Sequence, residues 1–276
     1  MKNITLEELL EAGCHFGHQV NRRNPKADRY IFEARSGVHI INLEKTREGL
    51  LRAGEEVRRI SESGGSIVFV GTKRQAKGIV REEIDRARSS LSSPGQATNE
   101  GSKQIFYVTS RWVGGTLTNF PEVSKNFKRL KELKELLASE KNTGYTKREM
   151  VLFEREKNKL ATLYEGIEDL DNVPDALCII GTQLETTAVS EAVSSGIESI
   201  GIVDTNADPS LIDFPIPAND DAVGSIKIIT SYLVDAFIEG QKEKEKNDKV
   251  QQVKEAKEEA KNKAKEDKQK AKITPK

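Results

Sequence analysis

Apolar residues along this chain fall in short blocks separated by longer amphipathic stretches. Ser66-Ile67-Val68-Phe69-Val70 is a β-branched run that stops at Gly71, and Thr72 is placed to cap a helix-compatible stretch from Lys73 to Arg88. Ile105–Val108, Ala176–Ile180 and Ile200–Val203 repeat the strand signature, and a shorter strand is expected around Phe214–Ile216. Helices are expected from about Leu184 to Ser195, where Gly196 stops the element, and from an Asn219-Asp220-Asp221 cap to about Glu239. Runs this short and this apolar suit strands covered on both faces, and their alternation with helices makes the sheet parallel. The expected fold class is therefore α/β, a doubly wound parallel sheet. Upstream, Arg29–Phe32 and Val38–Leu43 flank Ser36-Gly37 and read as a hairpin, followed by a helix from Glu44 to Ser61.

Two segments interrupt the alternation. Residues 89–104 are rich in Ser, Gly and polar side chains and read as an exposed loop. In 120–167, Val123, Phe127, Leu130 and Leu137 keep a near-heptad spacing with Lys134 at the missing seam position; Met150, Phe153, Lys157, Leu160, Tyr164 and Ile167 step by three and four. Asn142-Thr143-Gly144 supplies a turn between them, and Thr146 with Glu149 a capping box. An antiparallel helical, coiled-coil hairpin is expected there. The chain thus divides into an α/β unit from 1–119 and 168–240, an inserted hairpin at 120–167, and a tail at 241–276. That tail alternates Lys and Glu, has no face worth burying, and is expected to be disordered or transiently helical.

Charge changes the picture because its average conceals its distribution. The net formal charge over 276 residues is zero, yet residues 1–164 hold 30 Lys/Arg against 21 Asp/Glu, whereas 165–240 hold Lys227 alone against 15 acids. A basic half and an acidic segment suggest a molecule with one side toward a polyanion; helix faces that merely differ in sign are the competing explanation. No run approaches the roughly 18 consecutive apolar residues of a membrane span, and Met1-Lys2-Asn3-Ile4 lacks a signal-peptide core. Cys14 and Cys178 lack metal-ligand spacing and suit reduced thiols.

Catalysis finds little support. Strand–Gly–helix turns are where phosphates bind in nucleotide enzymes, but neither G-x-x-x-x-G-K-[ST] nor a G-x-G-x-x-G after a strand occurs. Asp204-Thr205-Asn206 reads as turn and cap chemistry more readily than as a metal-holding carboxylate. Cys14-His15-Phe16-Gly17-His18 brings thiol and imidazoles together in sequence, without the orienting third group of a nucleophile or the four donors of a zinc site.

RNA docking explains more. His15, His18, Asn21, Arg22, Arg23, Asn24, Lys26 and Arg29 lie on a stretch that Pro25 and the asparagines keep out of regular helix, and an irregular loop follows folded RNA better than a smooth face does. Thr72, Lys73, Arg74 and Lys77 stand at a helix start, where free N–H groups favour phosphate. Arg111, Trp112, Thr116 and Asn119 surround the Gly114-Gly115 pair. Each patch alone could be an ordinary solvated basic face; three in one basic half favour RNA. A nucleotide-binding α/β enzyme and a protein-interaction adaptor built on the hairpin are the alternatives.

At these residues the sequence resembles the bacterial ribosomal protein S-two family of the small subunit. The similarity is carried by Leu9-Leu10-Glu11-Ala12-Gly13-Cys14-His15-Phe16-Gly17-His18-Gln19, Gly37-Val38-His39-Ile40-Ile41-Asn42-Leu43, Arg111-Trp112-Val113-Gly114-Gly115-Thr116-Leu117-Thr118-Asn119-Phe120 and Ile202-Val203-Asp204-Thr205-Asn206, in collinear order over about 1–240. It implies a flavodoxin-like sheet with an inserted helical hairpin and a non-enzymatic role in translation. It also implies assembly onto small-subunit ribosomal RNA between head and body, docking of ribosomal protein S-one, and residence in the cytoplasmic or an organellar ribosome. No cofactor, metal, membrane or small-molecule substrate is implied. The chain departs from the family at Arg23, where an aromatic residue is frequent, and at Gly181-Thr182-Gln183-Leu184-Glu185-Thr186, where only Glu185 is kept.

Overall fold

The structure is a computed structural model that describes residues 4–91, 104–138 and 145–273, with side chains as far as Asp248. Most of the 89–104 stretch and the Asn142-Thr143-Gly144 turn lie outside the described residues.

The chain opens with α1 (Leu6–Glu11), started by a reciprocal capping box between Thr5 and Glu8. Next come β1 (Phe16–Gln19), two short 3-10 turns, β2 (Ile31–Arg35) and β3 (Val38–Ile41), which pair antiparallel in the order β1-β3-β2. The β2–β3 hairpin turns at Ser36-Gly37 as expected, but its first strand is Ile31–Arg35 and not Arg29–Phe32, because Arg29 and Tyr30 belong to the preceding 3-10 turn. Ser36 and Gly37 both take positive φ, 51° and 79°, as a two-residue turn with the twist of its strands requires. The sequence reading did not foresee α1 or β1, each too short to show a period.

The main body then alternates as the apolar blocks predict: α2 (Leu43–Ser63), β4 (Ile67–Val70), α3 (Arg74–Leu91), β5 (Ile105–Val108), α4 (Phe120–Ala138), α5 (Lys147–Tyr164), β6 (Ala176–Ile180), α6 (Thr186–Ser195), β7 (Glu198–Val203), β8 (Phe214–Pro217) and α7 (Val223–Ile273). Five parallel strands run in the order β5-β4-β6-β7-β8, the flavodoxin-like order. Each central strand is buried along its whole length because both faces are covered. Ile67, Phe69, Cys178 and Ile180 meet α2, α3 and α7, whereas Val68, Val70, Leu177 and Ile179 meet α4, α6 and the segment before α4. Burying one such side chain contributes about 1.5–3 kcal/mol. Pro215 and Pro217 sit in β8, an edge strand, where a missing N–H costs no ladder bond.

Within 120–167, α4 roots in the second core through Phe120, Val123, Phe127 and Leu130. Its partner α5 lies against it, with Phe127 edge-on to Tyr164 and Arg129 bidentate to Glu156 at 2.9 and 3.1 Å. Leu133 is fully buried, a position the near-heptad reading passed over. Lys134 leaves the seam to pair with Glu168 at 2.6 Å. The Thr146–Glu149 capping box is present. The boundary expected at 240 falls inside α7: Gln241 is buried and donates to the Ser61 carbonyl at 3.1 Å, and Glu243 pairs with Arg58 at 2.7 Å.

Candidate nucleic-acid interface

The carboxyl ends of β4, β5 and β7 share one edge of the sheet, and each is followed by a segment with docking chemistry. After β7 come Thr205 and Asp208, and the N-terminal segment docks on them from outside. The His18 N–H donates to Thr205 Oγ1 (2.9 Å) and the Asn24 N–H to the Thr205 carbonyl (2.8 Å). The Lys26 ammonium reaches Asp208 (2.6 Å) and Ser210 (2.9 Å). Regular helix fails here because Asn24 turns its side-chain oxygen onto the Lys26 N–H (3.0 Å) and Pro25 begins a short 3-10 turn. Asn21, Arg22, Arg23, Lys26 and Arg29 are all exposed. Arg23 pairs with Asp28 at 3.2 Å, and Arg29 lies 4.7 Å over the Tyr30 ring. Exposed ion pairs contribute little, so a polyanion can take these cations over.

After β4, Arg74 and Lys77 are exposed, as the sequence suggests, but Thr72 is not the cap. Its hydroxyl donates to the buried Glu185 carboxylate, and the Lys73 carbonyl begins α3 by accepting from Ala76 and Lys77. Burial raises the Glu185 pKa, with Thr72 opposing. Glu185, kept where the rest of its loop departs from the family, therefore bridges β6 to β4. Lys73 also turns inward, its Nζ 2.6 Å from Asp220 and 2.8 Å from Asp221. Burial works against its charge, but the two carboxylates prevail and its pKa is raised.

After β5, the loop through Arg111–Asn119 is built on a residue the sequence reading missed. The Glu191 carboxylate, from α6, accepts from the Gly115 N–H (2.8 Å), the Leu117 N–H (3.0 Å), the Thr118 N–H (3.5 Å) and Trp112 Nε1 (3.3 Å). Trp112 and Thr116 are buried, and Thr116 donates to the Val113 carbonyl at 2.6 Å. These two, expected on the surface, build the loop from inside, while Arg111 and Asn119 remain outside. The sequence does hold a signal for Glu191: an acid flanked by Ala188, Val189 and Ala192 on the buried side of a short helix.

The first two segments meet at a charged cluster. His18 Nδ1 stands 3.1 Å from Asp204 and Nε2 3.4 Å from Asp221. The Asp204 carboxylate raises the His18 pKa against the effect of burial. Burial pushes Asp220 up to about 6, with Lys73 pulling it back. His15 is half-buried and its pKa is lowered by burial. Donor atoms of His18, Asp204 and Asp220 lie within 4.8 Å of one another, a spacing at which they could hold a divalent cation together. More than 180 residues separate His18 from the two aspartates, so no motif announces the cluster. Reading Asp204 as turn chemistry also holds, since its Oδ1 accepts from the Thr205 N–H at 2.5 Å.

A doubly wound sheet that brings three segments to one edge, over carboxylates held by its own Lys and His, defines a protein of the α/β class. The family model described as Ribosomal protein S2 matches residues 9–240, and the chain belongs to that family. It is 43% identical over 241 residues to the small ribosomal subunit protein uS2 of Fusobacterium nucleatum subsp. nucleatum, covering 87% of this chain and 91% of that relative. It is 44% identical over 244 residues to the protein of the same name from Coprothermobacter proteolyticus, covering 87% and 84%. The chain is a structural, non-enzymatic ribosomal protein. Among the described residues, no helix is long and apolar enough to cross a membrane.

Proposed function

We propose that this protein assembles into the small ribosomal subunit and binds small-subunit ribosomal RNA through the carboxyl edge of its parallel sheet. One observation carries the reading. Segments from three separate parts of the chain converge there, leaving Arg22, Arg23, Lys26, Arg74, Lys77 and Arg111 exposed, while Arg29 lines a cleft beside the start of β8. Asp220 and Asp221 are held by Lys73 and Asp204 by His18, while Asp28 and Asp208 meet Arg23 and Lys26 only in exposed pairs that phosphate can displace. An edge made of irregular loops follows the phosphate contour of folded RNA and positions the protein without reading bases. The family implies a second partner, ribosomal protein S-one. Phe16 and Phe32, 50% and 68% exposed on the small antiparallel sheet, are better suited to a protein than to phosphate.

Replacing Arg22, Arg23 and Lys26 together by Ala tests the RNA contact. Each lost phosphate contact removes roughly 0.7–0.9 from the slope of log K against log salt, so the slope flattens by about 2–3. Filter binding to purified small-subunit RNA across a salt series reads it. An unchanged slope overturns the assignment of this segment.

A further inference from the structure

Between α3 and α5 lies a cleft of about 500 Å³, which of the cations named above takes in Lys77. One wall carries Lys77 and Arg81, four residues apart and so on one face of α3. The other carries Asn158 and Thr162, spaced the same way on α5, and Thr109 and Ser110 lie where β5 ends. A Cβ on Gly166, just beyond α5, would lie 2.1 Å from the Tyr107 carbonyl oxygen, so this position abuts β5 with no room for a side chain.

We propose that this cleft takes one nucleotide of single-stranded RNA, with its phosphate between Lys77 and Arg81 and its sugar and base against the hydroxyl and amide side chains opposite. The proposal rests on the RNA-binding reading and adds to it a particular site and strandedness. A volume of this order suits one small ligand and is too small to take in a duplex. Cations for phosphate, with hydroxyl and amide groups for 2′-OH and base edges, are the chemistry by which proteins hold unpaired RNA. Arg81 is partly occupied: its guanidinium stands 3.6 Å from Glu165, both side chains half exposed. A phosphate entering the cleft takes the place of that carboxylate. Glu165 is therefore a competitor, and its removal should strengthen binding.

The test uses the full chain, purified small-subunit ribosomal RNA and a salt series. K77A/R81A should weaken binding about tenfold and flatten the slope by roughly 1.4, two contacts at the single-strand value. T162W, on an exposed position, fills the cleft without altering charge and should weaken binding to a similar extent. E165Q should tighten it severalfold. Circular dichroism melts confirm that all three fold. Loss of binding in K77A/R81A with none in T162W reduces the cleft to a basic surface and overturns the proposal. So does tighter binding absent from E165Q, or wild-type behaviour in all three while the Arg22/Arg23/Lys26 variant is impaired; that last pattern leaves the RNA reading standing. Failure of the wild type to bind this RNA removes the RNA reading itself.

Discussion

The loop Arg111–Asn119 is folded around a carboxylate lent by another element, whereas the Val20–Arg29 segment is anchored by backbone bonds and the buried Ala27 but leaves its charged side chains in exposed pairs. In the first, Glu191 satisfies backbone N–H groups and an indole in a buried setting, so the loop has one shape before any partner arrives. In the second, Lys26 and Asp208 pair with side chains 59% and 23% exposed, and Arg23 and Asp28 at 43% and 49%. Water competes for every such bond, and the segment can re-pair with phosphate at small cost. Rigid presentation reduces the ordering cost of binding, whereas loosely held cations let a segment follow uneven RNA. The same protein uses both.

Three experiments press on that contrast. The largest effect belongs to Glu191→Ala. It strips buried donors of their acceptor and should destabilise the fold by about 3 kcal/mol, read from denaturant unfolding; a loss under about 1 kcal/mol would mean that the loop does not depend on its carboxylate. A smaller effect is expected from pH at the cluster where the N-terminal segment docks. The pKa of His18 is raised in the folded protein, so its stabilisation is complete below the unfolded value of about 6.5 and fades as pH rises through the folded value. Asp220, at about 6, takes up its proton more readily folded than unfolded, which also favours the fold as pH falls from about 6 toward 4. The melting temperature should fall between pH 6 and 8, and His18→Gln should flatten that decline. The smallest effect is Lys26→Ala, at most about 0.5 kcal/mol for an exposed pair, measured by the same unfolding. A substantially larger loss would show that the outer segment is held as firmly as the inner loop.

How far the sequence could be read follows from how local each feature is. The five parallel strands were legible because an apolar block of four or five residues needs no partner to be recognised. The capping box at Thr146–Glu149 and the turn at Ser36-Gly37 were legible for the same reason: donor and acceptor, or turn and strands, sit a few residues apart. The long-range chemistry was not. Thr72 looks like a cap until Glu185 is brought beside it, Lys73 like a phosphate ligand until Asp220 is, and Trp112 like an outward RNA contact until Glu191 takes its indole N–H. Basic loops could be listed from sequence, but which of their cations face outward depended on acids elsewhere in the chain.

Those distant partners have a bearing on the order in which the molecule is made. His18, Asn24 and Lys26 bond to Thr205 and Asp208, so the first basic stretch to be synthesised can pair locally with β3 but lacks its docking partners on the main sheet until about 180 further residues have followed. Pairings of such long separation slow folding. The nascent N-terminal half therefore carries its positive charge without the geometry that orients it, and the grip is completed only when β7 has taken its place in the sheet.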